Sequence, residues 1–478
     1  MRNTILQENQ INKIVIILTI PITLLIAYLL IKIDPVFAIV AAIGGGILIF
    51  TFINTDFAIY ILIFSMLLSP ELGARTTRGE GITIRIDDII LSVIIFTWLA
   101  KMAIYKELGI FRKTPLNVPI SYYLIACFIA TALGVLAGRV NPLRGAFFIL
   151  KYIEYFMIYF MVANQVHSKK QVERFIISMQ ITFLLVILIA LSQIPTGQRL
   201  TAPFEGQEGE PNTLGGYILL LMSLNMSLIL NLPPKSYPRP ILRKLLSFVT
   251  LLSIVPLLLT NSRGSWLATV PVIISYIIIS KRRYIVLAFT VAFIFLAPYI
   301  LPQTVVDRIK YTFKEQQGWA RSLQEELPGG IVVDPSASER LRSWKKAFRD
   351  IKKHPLFGYG ITGWRFLDAQ FIRVMIETGL VGLATFIYLL YSIIKQTKKM
   401  KDETKIPFFK AIAQGFIIGT VAMIFHSIGA NTFIIVRIME PYWLLCGLVQ
   451  SFPTIEKEEK RILKSIEDEI KMVKLGTV

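Results

Sequence analysis

Eight basic residues lie in one set of short segments between this chain's long apolar runs. Seven of the eight are arginine: Arg75, Arg78, Arg85, Arg139, Arg144, Arg199 and Arg263, with Lys32 the exception. The alternate segments carry 28 basic residues, 20 Lys and 8 Arg. A topology signal needs only positive charge, so it does not account for a preference for arginine. A guanidinium never deprotonates and presents a planar fork that grips phosphate through paired hydrogen bonds. A phosphate or diphosphate site is one explanation, and contact with lipid headgroups is the other. The most distinctive text lies on the same side: Thr260-Asn261-Ser262-Arg263-Gly264-Ser265-Trp266-Leu267, then Ser338-Glu339-Arg340 with Trp344, then His354-Pro355-Leu356-Phe357-Gly358-Tyr359-Gly360, and finally the segment from Asp368 to Gly382. Of the three histidines, His426 lies near Asn431 and could contact a sugar, His354 precedes proline in a turn, and His167 sits among the lysine-rich segments. Gly358-x-Gly360-x-x-Gly363 matches a dinucleotide fingerprint, but no strand or parallel-sheet unit surrounds it, so it reads as a turn.

Charges also occur inside the apolar runs. Lys151 and Glu154 are three apart, Arg373 and Glu377 four apart, Arg437 and Glu440 three apart. Each spacing puts both members on one helix face, where pairing offsets an insertion cost of about 2.5–3.5 kcal/mol per charge. Isolated structural pairs or a polar cavity open to one side of a membrane would both explain them.

The elements that must hold these residues are membrane spans. The 478 residues are 54% hydrophobic with a formal net charge of +20. Because the charges fall between apolar runs of about 20 residues, the pattern is that of membrane topology rather than nucleic-acid binding. Apolar runs at 14–31, 36–53, 57–69, 87–100, 118–137, 143–162, 175–193, 212–231, 245–260, 265–280, 284–301, 368–394, 407–428 and 431–451 predict an all-α polytopic membrane protein of about 12–14 transmembrane helices. The least distinct boundary is Asn54-Thr55-Asp56. The run beginning at Ile14 has no small-residue cleavage site after it and reads as a retained helix. Cys127 and Cys446 both lie in apolar runs, so neither a disulfide framework nor a cysteine metal site is expected. The charge bias assigns both termini to the cytoplasm and the 302–367 segment to the outside.

Four regions follow: membrane helices over 1–301, an external loop over 302–367, further membrane helices over 368–451 and a cytoplasmic tail over 452–478. Within the loop, Ser336 to Lys353 is expected to form an amphipathic helix with Leu341, Trp344, Phe348 and Ile351 on one face, capped by Ser336 or Ser338 and stopped before Pro355. The tail 454–474 reads as a second amphipathic helix.

The order and wording of these motifs, together with Pro211-Asn212-Thr213-Leu214-Gly215, resemble the O-antigen ligase and polymerase family of membrane glycosyltransferases. The resemblance is strongest from Arg199 to Gly382. Ligases of the family carry a histidine eleven residues before the first glycine of a Gly-x-x-Gly; here that position, counted back from Gly379, is Asp368. Polymerases more often have an acidic residue there, so the chain looks more like a polymerase.

The resemblance implies a GT-C-like membrane fold in the bacterial inner membrane with an outward-facing site. It implies polymerisation of undecaprenyl-diphosphate-linked oligosaccharide repeats of O-antigen or exopolysaccharide, by inverting transfer without a metal or cofactor. Arg263, Arg340 and Arg199 would hold the diphosphate, and Asp368 would orient or deprotonate the acceptor hydroxyl, with Glu377 as a second candidate base. Asn212 and His426 would contact sugar. The implied partners are lipid-linked glycans as donor and acceptor, membrane lipids, and chain-length regulators or flippases, with no nucleic acid. An O-antigen ligase acting on lipid A core is one alternative. A lipid-linked oligosaccharide flippase or transporter is another, for which the chain lacks evident internal duplication.

Overall fold

The computed structural model describes residues 35–72, 84–104, 114–205, 209–327 and 330–474, together with 17, 19–26 and 28. Lys32, Arg75 and Arg78 lie outside the described residues, as do parts of the first apolar run and the last four residues of the tail. The apolar runs from 36–53 onward are helices: α1 (Pro35–Ile53), α2 (Thr55–Leu68), α3 (Ile86–Ile104), α4 (Asn117–Leu136), α5 (Pro142–Gln165), α6 (Lys169–Ser192), α7 (Pro211–Asn231), α8 (Pro240–Leu259), α9 (Arg263–Ile279), α10 (Arg283–Ile300), and, after the 302–367 segment, α14 (Gln370–Glu403), α15 (Pro407–His426) and α16 (Val436–Lys474). Eight helices among the described residues are long and apolar enough to cross a membrane, and the shorter α2 and α9 are apolar too. The protein is an all-α polytopic membrane protein.

Asn54 separates α1 from α2 cleanly: its backbone is extended and its side chain accepts from the Asp56 amide at 3.0 Å. Helices α7 and α15 form the centre of the bundle, each 78% buried along its apolar window, whereas α10 is only 6% buried and presents its side chains to lipid. Gly415 and Gly419 on α15 let the two central helices close up, since a Cβ at Gly415 would stand 2.8 Å from the Leu224 Cα.

The 302–367 segment holds α11 (Gln303–Thr312), the short α12 (Trp319–Ser322), a two-stranded antiparallel pair, β1 (Glu326–Leu327) with β2 (Ile331–Val332), and α13 (Pro335–Asp350). The expected amphipathic helix is present, but its cap is neither serine. Pro335 occupies the first turn, where its missing N–H costs nothing, and Asp334 accepts from the Ser336 and Ala337 amides at 3.0 and 3.3 Å. The tail is not a separate helix: α16 continues from the last span through Pro441 and Pro453 to Lys474.

A feature absent from the sequence reading is a break in α14. Gly379 stands at φ 71°, ψ −171°, outside the helical region. The carbonyls of Ile376 and Glu377 accept instead from the Tyr359 and Gly360 amides, and the amides of Leu380 and Val381 donate to the Pro355 and Leu356 carbonyls. The His354–Gly360 loop thus satisfies the backbone groups that the break frees, as a buried interruption of a spanning helix requires. A Cβ at Gly379 would meet the Leu356 oxygen at 2.2 Å.

Candidate functional site

Residues from α9, α11 and α13 and from the ends of α7, α8 and α15 enclose a cavity of about 630 Å³ at one end of the bundle. Its polar wall carries four arginines, Arg199, Arg263, Arg308 and Arg340. The opposite wall is apolar, with Leu267, Val270 and Phe425 exposed beyond it.

The local sequence explains how each arginine is held. Asn261 adopts φ 50°, turning the chain between α8 and α9, and Ser262 caps α9 by accepting from the Ser265 amide at 3.2 Å. Arg199 braces that turn, donating from Nε and Nη2 to the Thr260 and Asn261 carbonyls, each at 3.0 Å. Arg263, the first residue of α9, meets both carboxylate oxygens of Asp334, the cap of α13, and donates to Thr312 Oγ1 at 3.1 Å. Arg340 lies on α13 with its Nη2 3.9 Å from Asp368 Oδ2, and among the described residues neither its Nε nor that of Arg308 has a hydrogen-bond partner. Two helix N-termini, those of α9 and α13, supply cavity-lining residues, so their positive ends add to the arginine charge.

Burial and the crowding of like charge both lower the proton affinity of Arg199 and Arg308. Burial, followed by the nearby positive charge of Arg308 and Arg263, brings Arg199 down to about 10. Burial and Arg263 lower Arg308 in the same way. Asp334 is shifted down: burial raises it, but the hydrogen bond and charge of Arg263 outweigh that. Asp368 is shifted up, because burial outweighs the pull of Arg340 and Arg373. Its Oδ1 accepts from Asn431 Nδ2 at 3.3 Å.

A polar chain backs the cavity. Glu210 Oε1 accepts from Asn212 Nδ2 at 2.9 Å, Asn212 Oδ1 accepts from Ser262 Oγ at 2.6 Å, and Ser265 Oγ donates to Ser262 Oγ at 2.9 Å. Ser265 Oγ also meets His426 Nε2 at 3.1 Å, while His426 Nδ1 meets Thr432 Oγ1 at 2.8 Å. Gly215 makes room for this chain, since a Cβ there would lie 2.0 Å from Ser265 Oγ.

Arg199, Arg263, Arg340 and Asn212 therefore line one cavity, with Asp368 beside it through Arg340. Two candidates sit elsewhere. His426 is fully buried and both ring nitrogens are occupied, leaving none for a sugar; it supports the wall instead. Glu377 lies in the α14 break, where its Oε1 accepts from the Thr362 amide at 3.1 Å and from Arg373 Nε at 3.2 Å. Two residues went unnoticed in the sequence. Arg308 sits in the long 302–367 segment rather than in a short loop, yet it lines the same cavity. Glu210 directly precedes the Pro211 motif, and its carboxyl, though open to solvent on one side, is pushed up by the surrounding protein and by Asp368. Of the three intramembrane pairs, Lys151–Glu154 forms at 2.9 Å and Arg373–Glu377 at 3.2 Å. The expected Arg437–Glu440 pair is corrected: Arg437 turns to the Leu67, Ser69 and Pro203 carbonyls and to Glu205 at 3.9 Å.

The family model described as O-antigen ligase matches residues 248–387, the stretch that contributes Arg263, Arg308, Arg340 and Asp368. A protein of Rickettsia conorii named as a polysaccharide ligase is similar over 140 residues at 22% identity, covering 25% of this chain. The match spans 31% of that relative's length. The arginine-lined cavity is thus built largely from the stretch that is similar to the O-antigen ligase family.

Proposed function

We propose that the protein transfers a glycan from a polyprenyl-diphosphate-linked donor to an acceptor hydroxyl, on the outer face of a bacterial inner membrane with both chain termini in the cytoplasm. The observation that carries this reading is the convergence of four arginines and two helix N-termini on one cavity with an apolar wall. A diphosphate has the charge and the oxygen geometry to satisfy that wall, and a prenyl chain has the apolarity to follow the other.

In this reading the acceptor hydroxyl attacks the anomeric carbon from the face opposite the diphosphate. The bond from that carbon to the phosphate oxygen breaks, and configuration inverts. The electron pair leaves with the diphosphate, where Arg263, Arg308 and Arg340 stabilise the developing charge. Asp368 accepts the hydroxyl proton. Its upward shift, caused by burial, brings its proton affinity closer to that task.

Asp368 in place of the ligase histidine favours polymerisation, with a second lipid-linked repeat as acceptor. A ligase reading is favoured by the names of the matching family and of the Rickettsia relative. Reconstitution with a lipid-linked oligosaccharide separates them. Ladders of increasing length mark a polymerase, whereas transfer only when lipid A core is added marks a ligase. Neither product from correctly folded protein overturns the proposal.

A further inference from the structure

A second polar centre lies inside the bundle, apart from the arginine cavity. Asp87 and Asp88 open α3, Lys151 and Glu154 lie on α5, and Arg437 and Glu440 open α16. Arg85 Nη2 donates to Asp87 Oδ2 at 2.6 Å. Lys151 reaches Asp88 and also Glu154 at 2.9 Å, and Arg437 lies 3.9 Å from Glu205. Among the described residues, three cations thus face five carboxylates, a formal excess of two. All but Glu154 fall below 9% exposure, and the Glu154 side chain is only 12% exposed. An unbalanced charge at such a depth is costly and calls for a counter-ion.

The imbalance has a definite location. Glu440 is fully buried, and neither of its carboxylate oxygens has a hydrogen-bond partner among the described residues. One oxygen each from Asp87, Asp88 and Glu440 lies within 4.8 Å of the other two. Two oxygens on one calcium ion, each at about 2.3–2.6 Å, can stand up to about 5 Å apart, so the three fit a common ion without rebuilding the backbone. An all-oxygen, carboxylate-rich set selects hard cations over zinc or copper.

We propose that Asp87, Asp88 and Glu440 bind one divalent cation of the calcium or magnesium class, which fastens the start of α3 to the start of α16. The ion supplies the two missing positive charges. Its role is structural: Arg437 links this centre to Glu205, whose Oε2 accepts from the Glu210 amide at 3.0 Å, so the site steadies the chain leading into the Asn212 wall of the cavity.

The test uses the full-length protein, purified without chelator in detergent or nanodiscs. Metal content is measured by mass spectrometry, and thermal unfolding is followed with EDTA, with added Ca2+ or Mg2+, and with K+ at matched ionic strength. Stoichiometric calcium or magnesium is expected. EDTA should lower Tm by about 2–8 °C, reversed by the divalent ion and not by K+. Glu440→Gln should lose that response without losing stability to the same extent, because it also removes one unbalanced charge. Metal-free wild-type protein with a chelator-insensitive Tm overturns the proposal; so does a Glu440→Gln protein with the full Ca2+ response. If that variant does not fold, the wild-type metal content and chelator response decide alone.

Discussion

Asp334 holds Arg263 through both carboxylate oxygens while the same carboxylate caps α13. One side chain therefore fixes the helix that carries Arg340 and orients the arginine that opens α9. The Asp334 side chain is 1% exposed and that of Arg263 18%, so the contact is shielded from solvent screening. Its downward shift means that the contact contributes stability above the ordinary aspartate range and loses it as pH falls through the lowered value.

Asp334→Asn is expected to destabilise the 302–367 segment by about 3 kcal/mol, because it leaves a partly buried guanidinium unpaired and weakens a cap. Limited proteolysis between residues 303 and 350 should accelerate while the membrane bundle stays intact. Unchanged proteolysis would show that the pair carries little of the segment's stability.

Arg308→Ala and Arg340→Ala test the charge of the cavity. Neither Nε has a hydrogen-bond partner among the described residues, so these side chains have donors to spare for a ligand. Each should cost roughly 10–1,000-fold in transfer, and lysine in either position should recover only part of it, since an ammonium lacks the fork. Arg308→Ala with full activity would restrict the diphosphate site to the other three.

The spans were legible because a membrane leaves the backbone few options, and the apolar runs record which residues face lipid. Much of the cavity was legible as well: Arg199, Arg263, Arg340 and Asn212 lie in wording that resembles a known family, and they come together. What the sequence did not disclose depends on partners distant along the chain. Arg437 and Glu440 have the spacing of a pair, but Arg437 is drawn to carbonyls at 67, 69 and 203, which no local pattern reveals. Gly379 stood out in the sequence as the first glycine of a Gly-x-x-Gly, but only the docked loop at 355–360 shows that it is a break. His426 looked like a ligand because histidine is rare here; its two hydrogen-bond partners are 161 and 6 residues away.

Gly379→Ala probes that break. The residue stands at φ 71°, and an added methyl would lie 2.2 Å from the Leu356 carbonyl oxygen. Both the backbone preference and the clash oppose the substitution, so a loss of more than about 2 kcal/mol is expected, with the His354–Gly360 loop released. Hydrogen exchange at Tyr359, Gly360, Leu380 and Val381 reports this directly, since those four amides make the bridging bonds. Unchanged exchange would mean that the loop docks without the glycine.

Asp368 and Glu377 are the two carboxylates between which the base must be chosen, and their surroundings make the choice testable. Asp368 is about one-third exposed beside Arg340, whereas Glu377 is 6% exposed and committed to Arg373 and the Thr362 amide. Asp368→Asn is expected to lower kcat by about 100–10,000-fold with little change in KM for the donor, as loss of a general base does. The wild-type kcat should rise with pH through an apparent pKa above the free aspartate value of about 3.9, because burial raises Asp368 and only its ionised form accepts the proton. Glu377→Gln should instead lower Tm and leave kcat per folded molecule nearly unchanged. A pH limb that survives in Asp368→Asn, or vanishes in Glu377→Gln, would transfer the role of base away from Asp368.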